Sequence, residues 1–145
     1  MTNKLKRSKQ YCSECGARLV DSMTCNELLA EVLGWESIDL ELSKEHFFTV
    51  ATFCLQHPAR FTVDAHQILR SSFIDAFDNL ISFEDLGKWM ATRFNGKRKV
   101  LRNHKERNPI LKKWDLTIAD VYHHGQSKNA GERVRQWSQF VRDQL

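Results

Sequence analysis

No run in this 145-residue sequence approaches the roughly 18 uninterrupted apolar residues of a membrane span. The opening segment, Met1 to Gln10, lacks the hydrophobic centre of a secretory signal, so the cytoplasm is the expected compartment and no membrane association is expected. Internal repeats and low-complexity tracts are also missing. Cysteine is sparse, with four residues, and in a reducing compartment four thiols point to metal ligation or buried free thiols rather than to a disulfide framework. Neither sign of charge dominates, since the formal net charge is +4.

What is present is ordinary for a globular chain. Hydrophobic residues make up 41% and charged residues 28%, at a length that can bury one core. The positive excess comes from Lys4, Lys6, Arg7 and Lys9 and from Lys97, Arg98, Lys99, Arg102, Lys105 and Arg107. Such an arm and loop can neutralise phosphates, which makes nucleic acid one partner to weigh, although a charge this small is also common in proteins that touch none.

Residues 1–10 read as a frayed, disordered basic tail. Thr24-Cys25-Asn26-Glu27 has the form of a capping box, and Leu28, Leu29, Val32 and Leu33 supply an apolar helical stripe that Gly34 stops. A second helix is predicted from about Ser43 to His57, with Phe47, Val50, Ala51 and Cys54 on one face and Pro58 preventing continuation. Thr62 caps a third, whose apolar positions run from Ala65 through Ile68, Leu69, Phe73 and Ala76 to Leu80. Ser82 caps a fourth that carries Leu86, Trp89, Met90 and Phe94 and stops at Asn95-Gly96. Between Lys97 and Gly125 the pattern is weak, with one short helical turn available at Thr117 to Tyr122. A last helix places Val134, Trp137, Phe140 and Val141 on one face.

Chemistry concentrates at Cys12-Ser13-Glu14-Cys15-Gly16. Two thiolates two residues apart can grip one tetrahedral metal, and the glycine allows the tight turn. The capping box puts Cys25 at the first position of a helix, where unpaired amides favour thiolate over thiol. Three cysteines leave a fourth position for histidine, carboxylate or water, and that choice separates a closed structural zinc from an open one able to activate water. Three thiolates donate enough charge to make a bound water less acidic, which lowers the expectation of hydrolysis.

His57, at a helix end before a proline, is the first candidate for the fourth ligand, and His46 competes with it. On one helix these two are roughly 16 Å apart along the axis, so they cannot share a metal unless the helix breaks. Glu31, beside Leu28 and Val32, is a candidate supporting carboxylate if partly buried. The bland alternative is an exposed Cys12/Cys15 pair with Cys25 a small core residue. A redox role would need a strand before the motif, and none is predicted. Cys54 reads as a core hydrophobe, and the four tryptophans as core packing rather than as platforms for bases. His46, His57 and His66 could in principle converge on a second centre, but no His-x-x-x-His or Glu-x-x-His pair supports it, and His123-His124 reads as a solvated turn.

The combination of Cys12-x-x-Cys15-Gly16, Cys25 heading a helix, His46 followed by an apolar run to Gln56-His57-Pro58, and a final helix with Trp137 resembles a family of uncharacterised bacterial domains of unknown function. The resemblance spans most of the chain and implies a fold and a metal site at Cys12, Cys15, Cys25, His46 and His57. It implies no activity.

The expected architecture is mainly α, a compact bundle of about five helices with an N-terminal zinc knuckle. Residues 11–145 would form a single helical domain that includes the knuckle at 11–27. The leading expectation is a structural zinc on Cys12, Cys15, Cys25 and His57 in a binding or interaction module with a protein partner. The alternatives are a metal-dependent enzyme with an open zinc position, with His46, His57 or Glu31 carrying protons, and a nucleic-acid binder using the basic tail and loop.

Overall fold

A computed structural model of the chain describes residues 10–93 and 99–145. The basic residues Lys4, Lys6, Arg7, Lys9, Lys97 and Arg98, together with Phe94 and the Asn95-Gly96 stop, lie outside the described residues.

The architecture is mainly helical, with no strand among the described residues beyond two isolated antiparallel bridges, Tyr11 with Arg18 and Phe61 with Leu101. Seven α-helices occur there rather than about five: α1 (Cys25–Gly34), α2 (Leu40–Lys44), α3 (His46–Gln56), α4 (Val63–Asp78), α5 (Phe83–Arg93), α6 (Ile118–Tyr122) and α7 (Ala130–Gln144). The difference has two sources. The single helix expected from Ser43 to His57 is two helices, because Asp39 caps an earlier start at Leu42 N (3.1 Å) and the backbone leaves helical geometry at Glu45. The short turn foreseen at Thr117 to Tyr122 is a capped helix in its own right.

The local signals explain most boundaries. Thr24 and Glu27 exchange hydrogen bonds of 3.2 and 3.1 Å at the head of α1, and the Thr62 hydroxyl accepts from Ala65 N at 3.2 Å at the head of α4. Leu80 departs from expectation. It follows the end of α4 in a left-handed conformation (φ 50°) and is 86% exposed, so it belongs to the turn and not to the apolar stripe.

The core forms where α7 meets α3 and α2, α1 meets α6, and α4 meets α3. Phe53, Phe73, Leu28, Leu42, Ile118, Val134, Trp137 and Val141 are fully buried there. Gly131 permits the close approach of α7 to α2, since a Cβ at that position would lie 3.2 Å from the backbone of Glu41 and Leu42. The interior is pinned by polar clasps as well as packing. Buried Gln56, the last residue of α3, accepts from Trp137 Nε1 (3.2 Å) and donates to the Leu116 carbonyl (2.8 Å), and the Thr52 and Ser138 hydroxyls meet at 3.0 Å. These bonds fix the end of α3, the position from which His57 projects.

No helix among the described residues is long and apolar enough to cross a membrane.

Candidate metal centre

The knuckle is a tight backbone turn. Gly16 N donates to the Cys12 carbonyl (3.0 Å) and Cys12 N to the Ala17 carbonyl (2.8 Å), with Gly16 at φ +76°, a conformation that disfavours any side chain. The turn points Cys12 and Cys15 the same way, and the amide of Glu14 donates to Cys12 Sγ at 3.5 Å. Ten residues after Cys15 the capping box delivers Cys25 at the first position of α1.

His57 arrives from the other side. At the end of α3 its backbone amide bonds to the Cys54 carbonyl instead of continuing the ladder, which leaves the Phe53 carbonyl without its helical partner. The ring of His57 fills that role, with Nδ1 2.7 Å from the Phe53 oxygen, and stacks on the Phe53 ring at 4.1 Å. Because a carbonyl only accepts, Nδ1 carries a proton, and Nε2 is the nitrogen left to face the sulfurs. That nitrogen lies 3.6 Å from Cys12 Sγ.

Cys12, Cys15, Cys25 and His57 therefore bring four ligand atoms within 4.8 Å of one another, a cluster that could hold a metal ion. The Cys15 and Cys25 sulfurs are 3.7 Å apart, well beyond the about 2.05 Å of a disulfide, and all four cysteines are free. Zinc–sulfur bonds of about 2.3 Å and zinc–nitrogen bonds of about 2.0 Å give tetrahedral edges of about 3.8 Å between sulfurs and about 3.5 Å between sulfur and nitrogen. The observed 3.7 and 3.6 Å match both. Cys15, Cys25 and His57 are buried, and Cys12 is half-buried.

Packed this closely, the groups compete for protons. Hydrogen bonds from Cys15 and Cys25 hold the Cys12 thiol far below its ordinary value, while contacts with Cys12 and Cys15, together with burial, drive Cys25 upward. Burial pulls His57 down, but the Cys12 and Cys15 sulfurs outweigh it and raise the ring to about 10. Thiolate charge held against a protonated ring in a buried cluster is an arrangement in which a divalent metal could take the place of the protons.

The other candidates fall elsewhere. Glu31 is exposed on α1 and does not reach the sulfurs, because the face it shares turns outward while Leu28 and Val32 turn in. His46 stands at the opposite end of α3, its Nδ1 2.9 Å from Glu36. His66 is half-buried on α4, and His123 and His124 are exposed in a left-handed turn. Among the described residues the Cys3His set is the one group of three or more potential ligands that converges. Cys54 is half-buried, and burial pushes its thiol up to about 11.

Two contributors were not foreseen. The carboxylate of Glu14, inside the knuckle, accepts from Ala59 N at 3.0 Å and ties the knuckle to the turn after His57. Residues 99–113 form a strap anchored at both ligand-bearing segments. At one end Arg102 N donates to the Arg60 carbonyl (2.8 Å) and Thr62 N to the Val100 carbonyl (2.9 Å). At the other, Lys112 N donates to the Glu14 carbonyl and Trp114 N to the Cys15 carbonyl, both at 2.9 Å. Neither pairing has a local sequence signature, since both depend on residues far apart in the chain.

Fold and cluster together define a helical protein with a converged Cys3His donor set. Residues 10–145 match the family of unknown function DUF5946, and the chain belongs to that family. No curated protein and no solved structure matches it.

Proposed function

We propose that the protein is a zinc-stapled helical binding module, in which Cys12, Cys15, Cys25 and His57 close a structural zinc site. The observation that carries this reading is the His57–Phe53 hydrogen bond of 2.7 Å, which occupies Nδ1 and aims Nε2 at Cys12 as the nitrogen that would coordinate once a metal displaces its proton. Three thiolates and one imidazole complete a tetrahedron, so zinc has no open position and hydrolytic chemistry has no place to start. The metal would then join the knuckle to α1 and α3 and contribute folding free energy.

A cleft of about 880 Å³ opens beside the cluster, lined by Cys12, Cys25 and His57 and also by Tyr11, Asn26 and Arg60. Beside a closed site this is a place for binding rather than for reaction. The test is the metal content of protein purified under reducing conditions, read by mass spectrometry. One equivalent of zinc per chain is expected, with Cys12→Ser losing it. Metal-free wild-type protein overturns the proposal.

A further inference from the structure

The surface next to the metal centre is cationic along one continuous segment. Every residue from 103 to 113 is exposed. From 99 to 113 the chain carries Lys99, Arg102, Lys105, Arg107, Lys112 and Lys113 against a single acid, Glu106, which is engaged by Lys99 at 3.4 Å. The strap is held in place rather than trailing, because its two ends are hydrogen-bonded to the turn after His57 and to the knuckle. Cations on a segment anchored at both ends suit a polyanion.

The cleft supplies a different chemistry beside it. Tyr11 is 55% exposed and lines the cleft with Ser13, Thr24, Asn26 and Arg60, and the Arg60 carbonyl is also the strap's anchor for Arg102. Arg60 Nη2 donates to Asn26 Oδ1 at 2.7 Å, which leaves the Asn26 amide group available as a donor. An exposed aromatic ring with side-chain donors and acceptors in a cleft of this volume fits a planar heterocycle. A zinc site with three thiolates is anionic and repels phosphate, but an uncharged base meets no such penalty.

We propose that the strap and the cleft form a binding site for single-stranded nucleic acid, with the phosphates on Lys105, Arg107 and their neighbours and a base stacked on Tyr11. The assignment names the partner of the binding module proposed above and rests on that reading for the rigidity of the anchors and for the negative charge that keeps phosphate off the centre. An acidic protein segment would use the strap but have no reason to use the ring. Duplex would keep its bases stacked away from the cleft.

The experiment is fluorescence anisotropy of full-length, metal-assayed protein with fluorescein-labelled 20-nucleotide poly(U) and poly(dT), a 20-base-pair duplex, and polyglutamate as competitor, across a salt series. Single strands are expected to bind more tightly than duplex. For Lys105→Ala/Arg107→Ala the slope of log K against log salt should become shallower by between about 1 and 2. Tyr11→Ala should weaken binding roughly five- to a hundredfold, with Tyr11→Phe near wild type. The poly(U) and poly(dT) arms tell RNA from DNA. No binding at low salt, or binding that ignores both sets of variants, overturns the proposal. Strap-dependent binding that polyglutamate matches and Tyr11→Ala leaves unchanged overturns it in favour of an acidic protein. Binding by a sample shown to lack metal removes the zinc reading and leaves this one standing.

Discussion

His57 donates its Nδ1 proton to the carbonyl of Phe53, the residue one helical turn before it, at 2.7 Å. One hydrogen bond thus satisfies a helix-end carbonyl and turns the opposite ring nitrogen toward the sulfurs, where the proposed zinc would use it. His57→Ala is expected to weaken zinc binding by more than about tenfold, because loss of even a supporting partner commonly costs that much. Competition with a chromophoric chelator measures it, and affinity equal to wild type would show that the site is completed by something else.

Metal removal should be felt as stability. A ligand held at a hundred times its Kd stabilises the folded state by about 2.7 kcal/mol, so chelation should lower the melting temperature of wild-type protein by several degrees. Cys12→Ser, melted with and without chelator, should give one curve. A chelator-insensitive wild type would mean that the cluster is not loaded.

Gln56 lies in the interior with both ends of its amide engaged, one by Trp137 and one by the Leu116 carbonyl. Gln56→Leu strands both partners, and with about 1–3 kcal/mol for each buried group left unpaired the expected loss is at least about 2 kcal/mol. Urea unfolding reads it. Because the same residue fixes the end of α3, zinc affinity should fall as well, while a variant at exposed Gln139 should change neither.

His66 gives a pH dependence with a definite sign. Burial lowers its pKa, with the Leu55 carbonyl opposing, and its Nε2 is buried without a hydrogen-bond partner. The unfolded chain therefore binds the proton more readily than the folded one. The contribution is present above the unfolded value near 6.5 and declines as pH falls through that value toward the lower folded one. His66→Gln should flatten the stability profile between pH 7 and 5 relative to wild type, and unchanged curvature would assign that region to other groups.

Local chemistry was readable without the structure wherever it was written in short spacings. Thr24 and Glu27, Thr62, the turn at Gly16 and the placement of Cys25 at a helix head all depend on residues within a few positions of one another. The sequence ranks His57 first for the fourth position, from a proline that ends its helix, and leaves His46 competing; only the fold separates them, by bringing His57 to Cys12 and leaving His46 at the far end of α3 beside Glu36. The break at Glu45 has no such signal, since apolar spacing continues across it and the earlier start depends on the Asp39 side chain capping Leu42 N. The condition attached to Glu31, partial burial, is not met: it is exposed although its neighbours Leu28 and Val32 are core residues, because a helix turns a residue out of the core within one position of turning it in. The strap was legible as charge but not as architecture, since nothing in residues 99–113 announces that Glu14 and Arg60 will receive their amides.

The spacing of the four donors along the chain sets an order of assembly. Cys15 and Cys25 are ten residues apart, whereas Cys12 and His57 are separated by 45. Short loops close at low entropic cost, so if the proposed zinc binds, the three thiolates could gather on it while the rest of the chain is still unfolded, and only the imidazole would wait for α3. During synthesis the half-formed knuckle would emerge before α3 and offer a template for the later helices to join. On the way out, the histidine arm would be the first to let go.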